Sequence, residues 1–132
     1  MSITLSQRSK DRLAGAHPDL AKVIERAAAI SDLDFTVLEV LRTVERQREL
    51  VAKGASRTMN SRHLPGKDGK SRAVDIAPMI GGQVSWDWPL YRKLAPIIKQ
   101  AAADVGVPIE WGGDWRSFKD GPHWQLPFGK YP

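Results

Sequence analysis

Apolar positions recur along the chain with two periods, and the period changes tell where elements begin and end. Leu20, Val23, Ile24, Ala27 and Ala28 fall at helical spacing behind Pro18 and Asp19, which suit a first helical turn. Before them, residues 6–15 are polar and helix-compatible and end at Gly15. "DFTVLEVL", 34–41, is β-branched and apolar and predicts a strand, and "ERQRELVAKG", 45–54, predicts a short helix closed by Gly54. The polar, turn-rich stretch 55–71 predicts a long loop. "RAVDIAPMI" then reads as a strand, "GGQ" as a tight turn and "VSW" as the start of a return strand. Leu94, Ile97, Ile98, Ala101, Ala102 and Val105 mark a second amphipathic helix ended by Gly106, with Pro96 at its start or at a kink. "PIEW" and "HWQL" are short strands. Helices alternating irregularly with short strands predict an α+β class, a small antiparallel sheet with helices packed on it.

Totals narrow the chemistry. A chain of 132 residues with 42% hydrophobic content is expected to form a single domain, 1–132, with one modest core and no second domain. Without cysteine it has no disulfide, thiolate metal site or cysteine nucleophile. No apolar run is long enough to span a bilayer, and the N-terminus lacks the pattern of a secretory signal. Synthesis in a cytosol and no membrane insertion are the expectation. A net charge of +5 suits an anionic partner such as nucleic acid, a membrane surface or an acidic wall polymer. The basic residues are dispersed rather than blocked, which argues against a nucleic-acid arm.

The candidate chemistry sits in few residues. Of the three histidines, His17 precedes a helix and is expected to be a plain surface residue. His63 lies in the polar loop, and His123 follows Asp120 across a Gly–Pro corner in "KDGPHW". Asp75 interrupts an apolar strand, where propensity and burial both disfavour it, and shares a face with Ala73 and Ala77. Two imidazoles and one carboxylate make a common ligand set for catalytic zinc, with the fourth position open. Asp120 is then a spare carboxylate able to take a proton. A basic, tryptophan-bearing binding module is the competing class, but it leaves Asp75 and Asp120 without a purpose against an anionic ligand.

In chain order, "VLRTVERQ", "SRH", "AVD", "WGGDW" and "DGPHW" resemble the motifs of the VanY-like M15 zinc peptidases, and most of all the single-domain phage endolysins among them. The resemblance spans about residues 18–126. It implies the M15 α+β fold, Zn2+ held by His63, Asp75 and His123, Asp120 as catalytic acid/base, and Arg42 on the substrate or the developing oxyanion. It further implies cleavage of the L-Ala–D-Glu bond of the peptidoglycan stem peptide, with D-Ala-D-Ala carboxypeptidase activity as the alternative, by a monomer released onto the wall with a holin. Gln47, Ser61, Asp114 and Trp115 fall in matching segments and suit structural roles equally well. One departure is the twelve-position interval from His63 to Asp75, where the family has seven. The extra Lys67–Ser71 reads as a solvated excursion that could be removed at little cost, and Asp68, in its turn, as a solvated carboxylate rather than a ligand.

Overall fold

In a computed structural model, which describes residues 2–56, 59, 61–117 and 119–132, the elements follow the sequence pattern closely. Helix α1 (Gln7–Leu13) is followed by α2 (Pro18–Ile30), strand β1 (Phe35–Glu39) and α3 (Val44–Ala52). Strands β2 (Ala73–Ile80) and β3 (Gln83–Val84) precede α4 (Trp88–Val105), and β4 (Glu110–Trp111) and β5 (His123–Gln125) complete the sheet. The strands run β1-β2-β5-β4, with β3 hairpinned onto β2, and every pairing is antiparallel. The β2–β3 turn is Gly81–Gly82, both at positive φ (59° and 79°), the backbone that a two-residue turn matching strand twist requires.

Alternation along the strands divides the sheet into two faces. Val37, Val74, Ile76 and Trp124 join the apolar sides of α2 and α4 in one core. Leu20, Val23 and Ile24 of α2 and Leu94 and Ile98 of α4 are almost wholly buried there, each a side chain whose burial is worth about 1.5–3 kcal/mol. Asp75 and His123 point to the opposite face, and that face carries the polar site.

Two expectations need correction. Helix α4 does not start near Pro96; it begins at Trp88, with Asp87 at its N-cap and a proline in its first turn, and continues past Pro96 to Val105. His17 is not a plain surface residue. Its Nδ1 accepts from the Asp19 N–H at 3.0 Å and caps α2, and its ring stands edge-on to Tyr131 at 5.2 Å.

The loop between α3 and β2 also differs from its polar appearance. Positions 57, 58 and 60 of the expected loop lie outside the described residues. Lys67, Asp68 and Gly69 are exposed, as a solvated excursion would be. Ser71 is fully buried. Its backbone bridges the α1–α2 linker, donating to Gly15 O at 2.8 Å and accepting from His17 N at 2.9 Å. Its hydroxyl accepts from Ala73 N at 3.0 Å and donates to Ala73 O at 2.7 Å. The reason lies in the register. β1 pairs with β2 only from Asp75 onward, so the leading end of β2 has no strand neighbour on that edge, and the serine satisfies it.

Candidate metal centre

Strand register assembles most of the site. Asp75 on β2 is the cross-strand partner of Glu39 on β1 and of His123 on β5, so three polar side chains run in a row across the sheet. His63 is brought to the same place by the loop before β2. Arg42 N donates to His63 O at 3.0 Å, and Arg72 N donates to the neighbouring Arg62 O at 2.9 Å, which ties that loop to the segment after β1 and to the residue just before β2.

His63, Asp75 and His123 each present one donor atom, and the three atoms lie within 4.8 Å of one another. His63 Nε2 is 3.1 Å from Asp75 Oδ1, and His123 Nδ1 is 3.4 Å from the same oxygen. The remaining ring nitrogens are already engaged, His63 Nδ1 with Val40 O at 2.8 Å and His123 Nε2 with Gln125 Oε1 at 2.7 Å. Such outer partners fix each imidazole's orientation and leave its other nitrogen for a metal. Gln125 follows His123 by two residues on one strand, hence on one face. This donor set can hold a metal ion, and Asp68 takes no part: it pairs with Arg72 at 2.5 Å on the surface.

Charge at the centre is strongly coupled. Burial works against the Asp75 carboxylate, yet hydrogen bonds from His123 and His63 outweigh it and hold its pKa well below the usual carboxylate range. Burial also opposes charge on His123, but Asp75 beside it raises its pKa above the ordinary value. Asp120 shifts the other way for a carboxylate: burial, then repulsion from Asp75, push its pKa up.

Asp120, Arg42, His63, Asp75 and His123 line one cleft of about 650 Å³. A larger groove, of about 1050 Å³, lies along α1 and α2 and holds none of these five. The Asp120 corner is built by close approach. Asp120 N donates to Gly112 O at 3.1 Å, and a Cβ on Gly112 would collide with Asp120 O, so only glycine fits. The Asp120 carboxylate itself has no hydrogen-bond partner among the described residues.

Arg42 is held from two sides. Its Nε donates to Glu39 Oε1 at 2.5 Å and its Nη1 to Gln47 Oε1 at 2.8 Å, leaving Nη2 3.9 Å from Asp75 Oδ2. Gln47 is fully buried and also donates to Ser56 Oγ at 2.8 Å. Sequence reasoning marked Gln47 but missed Glu39 and Gln125. Period-two spacing could have pointed to Gln125; Glu39 needed the β1–β2 register. Ser61 Oγ accepts from His63 N at 3.2 Å, a bond within the loop. Asp114 sits outside the cleft, paired with Lys99 at 2.7 Å, whereas Trp115 lines it.

Comparison with known proteins agrees with this geometry. Residues 1–125 match the model of the phage L-alanyl-D-glutamate peptidase family. An L-alanyl-D-glutamate peptidase of Escherichia phage T5 is 31% identical over 135 residues, covering 99% of this chain and 94% of the relative. A peptidoglycan L-alanyl-D-glutamate endopeptidase of Bacillus subtilis is 27% identical over 114 residues, covering 80% of this chain and 68% of that protein. The crystal structure of a Serratia marcescens L-Ala D-Glu endopeptidase superposes with a TM-score of 0.88 at 45% identity, covering 98% of this chain and 94% of that one. With a family match across nearly its whole length and a solved relative of the same fold, the chain belongs to the phage L-alanyl-D-glutamate peptidase family.

Proposed function

We propose that this chain is a zinc endopeptidase that hydrolyses the L-Ala–D-Glu bond of peptidoglycan stem peptides. The observation that carries the reading is the convergence of three metal-ligating donors, within 4.8 Å of one another, with an unbonded carboxylate on the wall of the same cleft. His63 Nε2, Asp75 Oδ1 and His123 Nδ1 would hold the ion, a two-histidine, one-carboxylate set suited to zinc with a position left open. When bound, zinc supplies a Lewis acid for the scissile carbonyl and lowers the pKa of a bound water from about 15.7 toward about 7.

The protein's own groups do the rest. The Asp120 carboxylate accepts the proton of the attacking water and passes it to the departing amine of D-Glu. In the metal-free protein burial and Asp75 raise its pKa, and as a general base it acts only when ionised. Arg42, fixed by Glu39 and Gln47, presents a cation that does not have to reorganise as negative charge builds on the substrate. All five side chains come from one chain, which supports action as a monomer. No helix among the described residues is long and apolar enough to cross a membrane. In this reading the chain would reach the wall by release through a separate holin. The net charge of +5 suits the anionic wall polymer.

The test is digestion of purified peptidoglycan followed by mass spectrometry of the new termini. New N-terminal D-Glu supports the reading, while release of free D-Ala alone would move the activity to the carboxypeptidase alternative.

A further inference from the structure

Trp115 is an aromatic side chain of the cleft that the reaction leaves unused. It is half-buried on the wall that also carries Asp120, and its ring centroid is 5.2 Å from that of His123, tilted by 47°. Its place is fixed from the backbone. Trp115 N donates to Gly112 O at 3.3 Å, and the same carbonyl accepts from Asp120 N at 3.1 Å, so indole and acid share one anchor. The indole N–H has no hydrogen-bond partner among the described residues. Among the described residues Phe128 is the other such aromatic side chain lining the cleft, and it differs: the Arg62 guanidinium lies 4.1 Å over its ring centroid.

The substrate's covalent chemistry gives this ring an occupant. In a stem peptide the amine of L-Ala is joined through a lactyl ether to a muramyl sugar. Cleavage after L-Ala therefore places the sugar about two residue lengths, roughly 7 Å, from the scissile carbon. The Trp115 ring lies beside the His123 imidazole in the same cleft, so it borders the space that such a sugar would enter. Its face suits the C–H face of a pyranose, and its free N–H suits an acetamido or hydroxyl oxygen. We propose that Trp115 is the platform for the muramyl sugar, making this enzyme selective for glycan-linked stem peptides over free ones. The proposal rests on the endopeptidase reading above.

The experiment compares two substrates that differ only in the sugar. One is a disaccharide-linked stem peptide; the other is the same peptide with its L-Ala amine capped by a lactyl group. The kcat and KM of the parent, Trp115→Ala and Trp115→Leu are measured on both, with circular dichroism and metal content as controls. The leucine variant keeps apolar bulk over His123 while removing the π face. The parent is expected to favour the sugar-bearing substrate, and both variants to lose about fivefold or more, in KM, on that substrate alone, the size of one aromatic contact. Equal losses on the two substrates, or no preference in the parent, overturn the platform while leaving the endopeptidase intact. Failure of the parent to cut either substrate between L-Ala and D-Glu overturns both.

Discussion

Replacing Ser71 by alanine tests how the loop before β2 is held. The hydroxyl is fully buried and serves two backbone groups of Ala73, accepting from its N–H and donating to its carbonyl. Alanine keeps the backbone bridge to Gly15 and His17 but leaves that N–H and carbonyl without partners. An unsatisfied buried polar group costs about 1–3 kcal/mol. With two such groups, partly relieved by relaxation, the loss should be about 2–4 kcal/mol. That is a large share of the roughly 5–15 kcal/mol by which a domain is stable. At roughly 3–5 °C per kcal/mol for this chain length, melting should fall by about 6–20 °C. Thermal and urea unfolding of the metal-free protein, followed by circular dichroism, would read it. Deleting Lys67–Ser71 outright should cost at least as much, because it also removes the bridge, whereas Asp68→Ala should change stability little. A Ser71→Ala protein within about 0.5 kcal/mol of its parent would refute the reasoning, and the insertion would be the dispensable excursion its polarity suggests.

Three further outcomes are expected. Asp120→Asn should bind metal and melt like the parent yet lose about 10²–10⁴-fold in kcat on peptidoglycan; near-full turnover would remove Asp120 from the proton path. Gln47→Leu should free Arg42 Nη1 and lower kcat while metal content holds; unchanged kinetics would show that Glu39 alone fixes the guanidinium. The third concerns pH. In the metal-free protein the raised pKa of His123 adds stability that is present below its ordinary value of 6.5 and lost as pH rises through the folded value. The lowered pKa of Asp75 adds stability that is present above 3.8 and lost as pH falls through its folded value. Zinc must displace protons from these ligands, so its stabilisation should grow with pH where the metal-free protein weakens. Melting curves with chelator and with zinc from about pH 5 to 8 should therefore slope oppositely, and parallel slopes would contradict the coupling.

The helices and strands were largely legible because each buries one face, and burial writes a period into the sequence. Asp75 stood out for the same reason: it breaks an apolar strand, and alternation placed it on a face of its own with Ala73 and Ala77. What the pattern could not show was register. That Glu39, Asp75 and His123 are cross-strand neighbours follows from long-range pairing of β1, β2 and β5, which no local window contains. The motif resemblance supplied the partnership of His63 and His123 instead. Buried polar residues were the hardest to place. Ser71 was read as part of a solvated excursion, yet it is buried because it satisfies groups that the fold leaves bare, and Gln47 was marked by its motif alone, without its bond to Arg42. The start of α4 was missed because "WDWPLYRK" lacks a clean apolar period, although its aspartate and proline are ordinary start signals.

The claim on which the rest depends is that His63, Asp75 and His123 hold one zinc ion. Elemental analysis after equilibrium dialysis against dilute zinc, on the parent and on His63→Ala, Asp75→Ala and His123→Ala, tests it most directly. The account predicts about one zinc per parent chain and marked loss in each variant, with circular dichroism showing the fold retained. A parent that binds no zinc, or variants that bind it as the parent does, would contradict it.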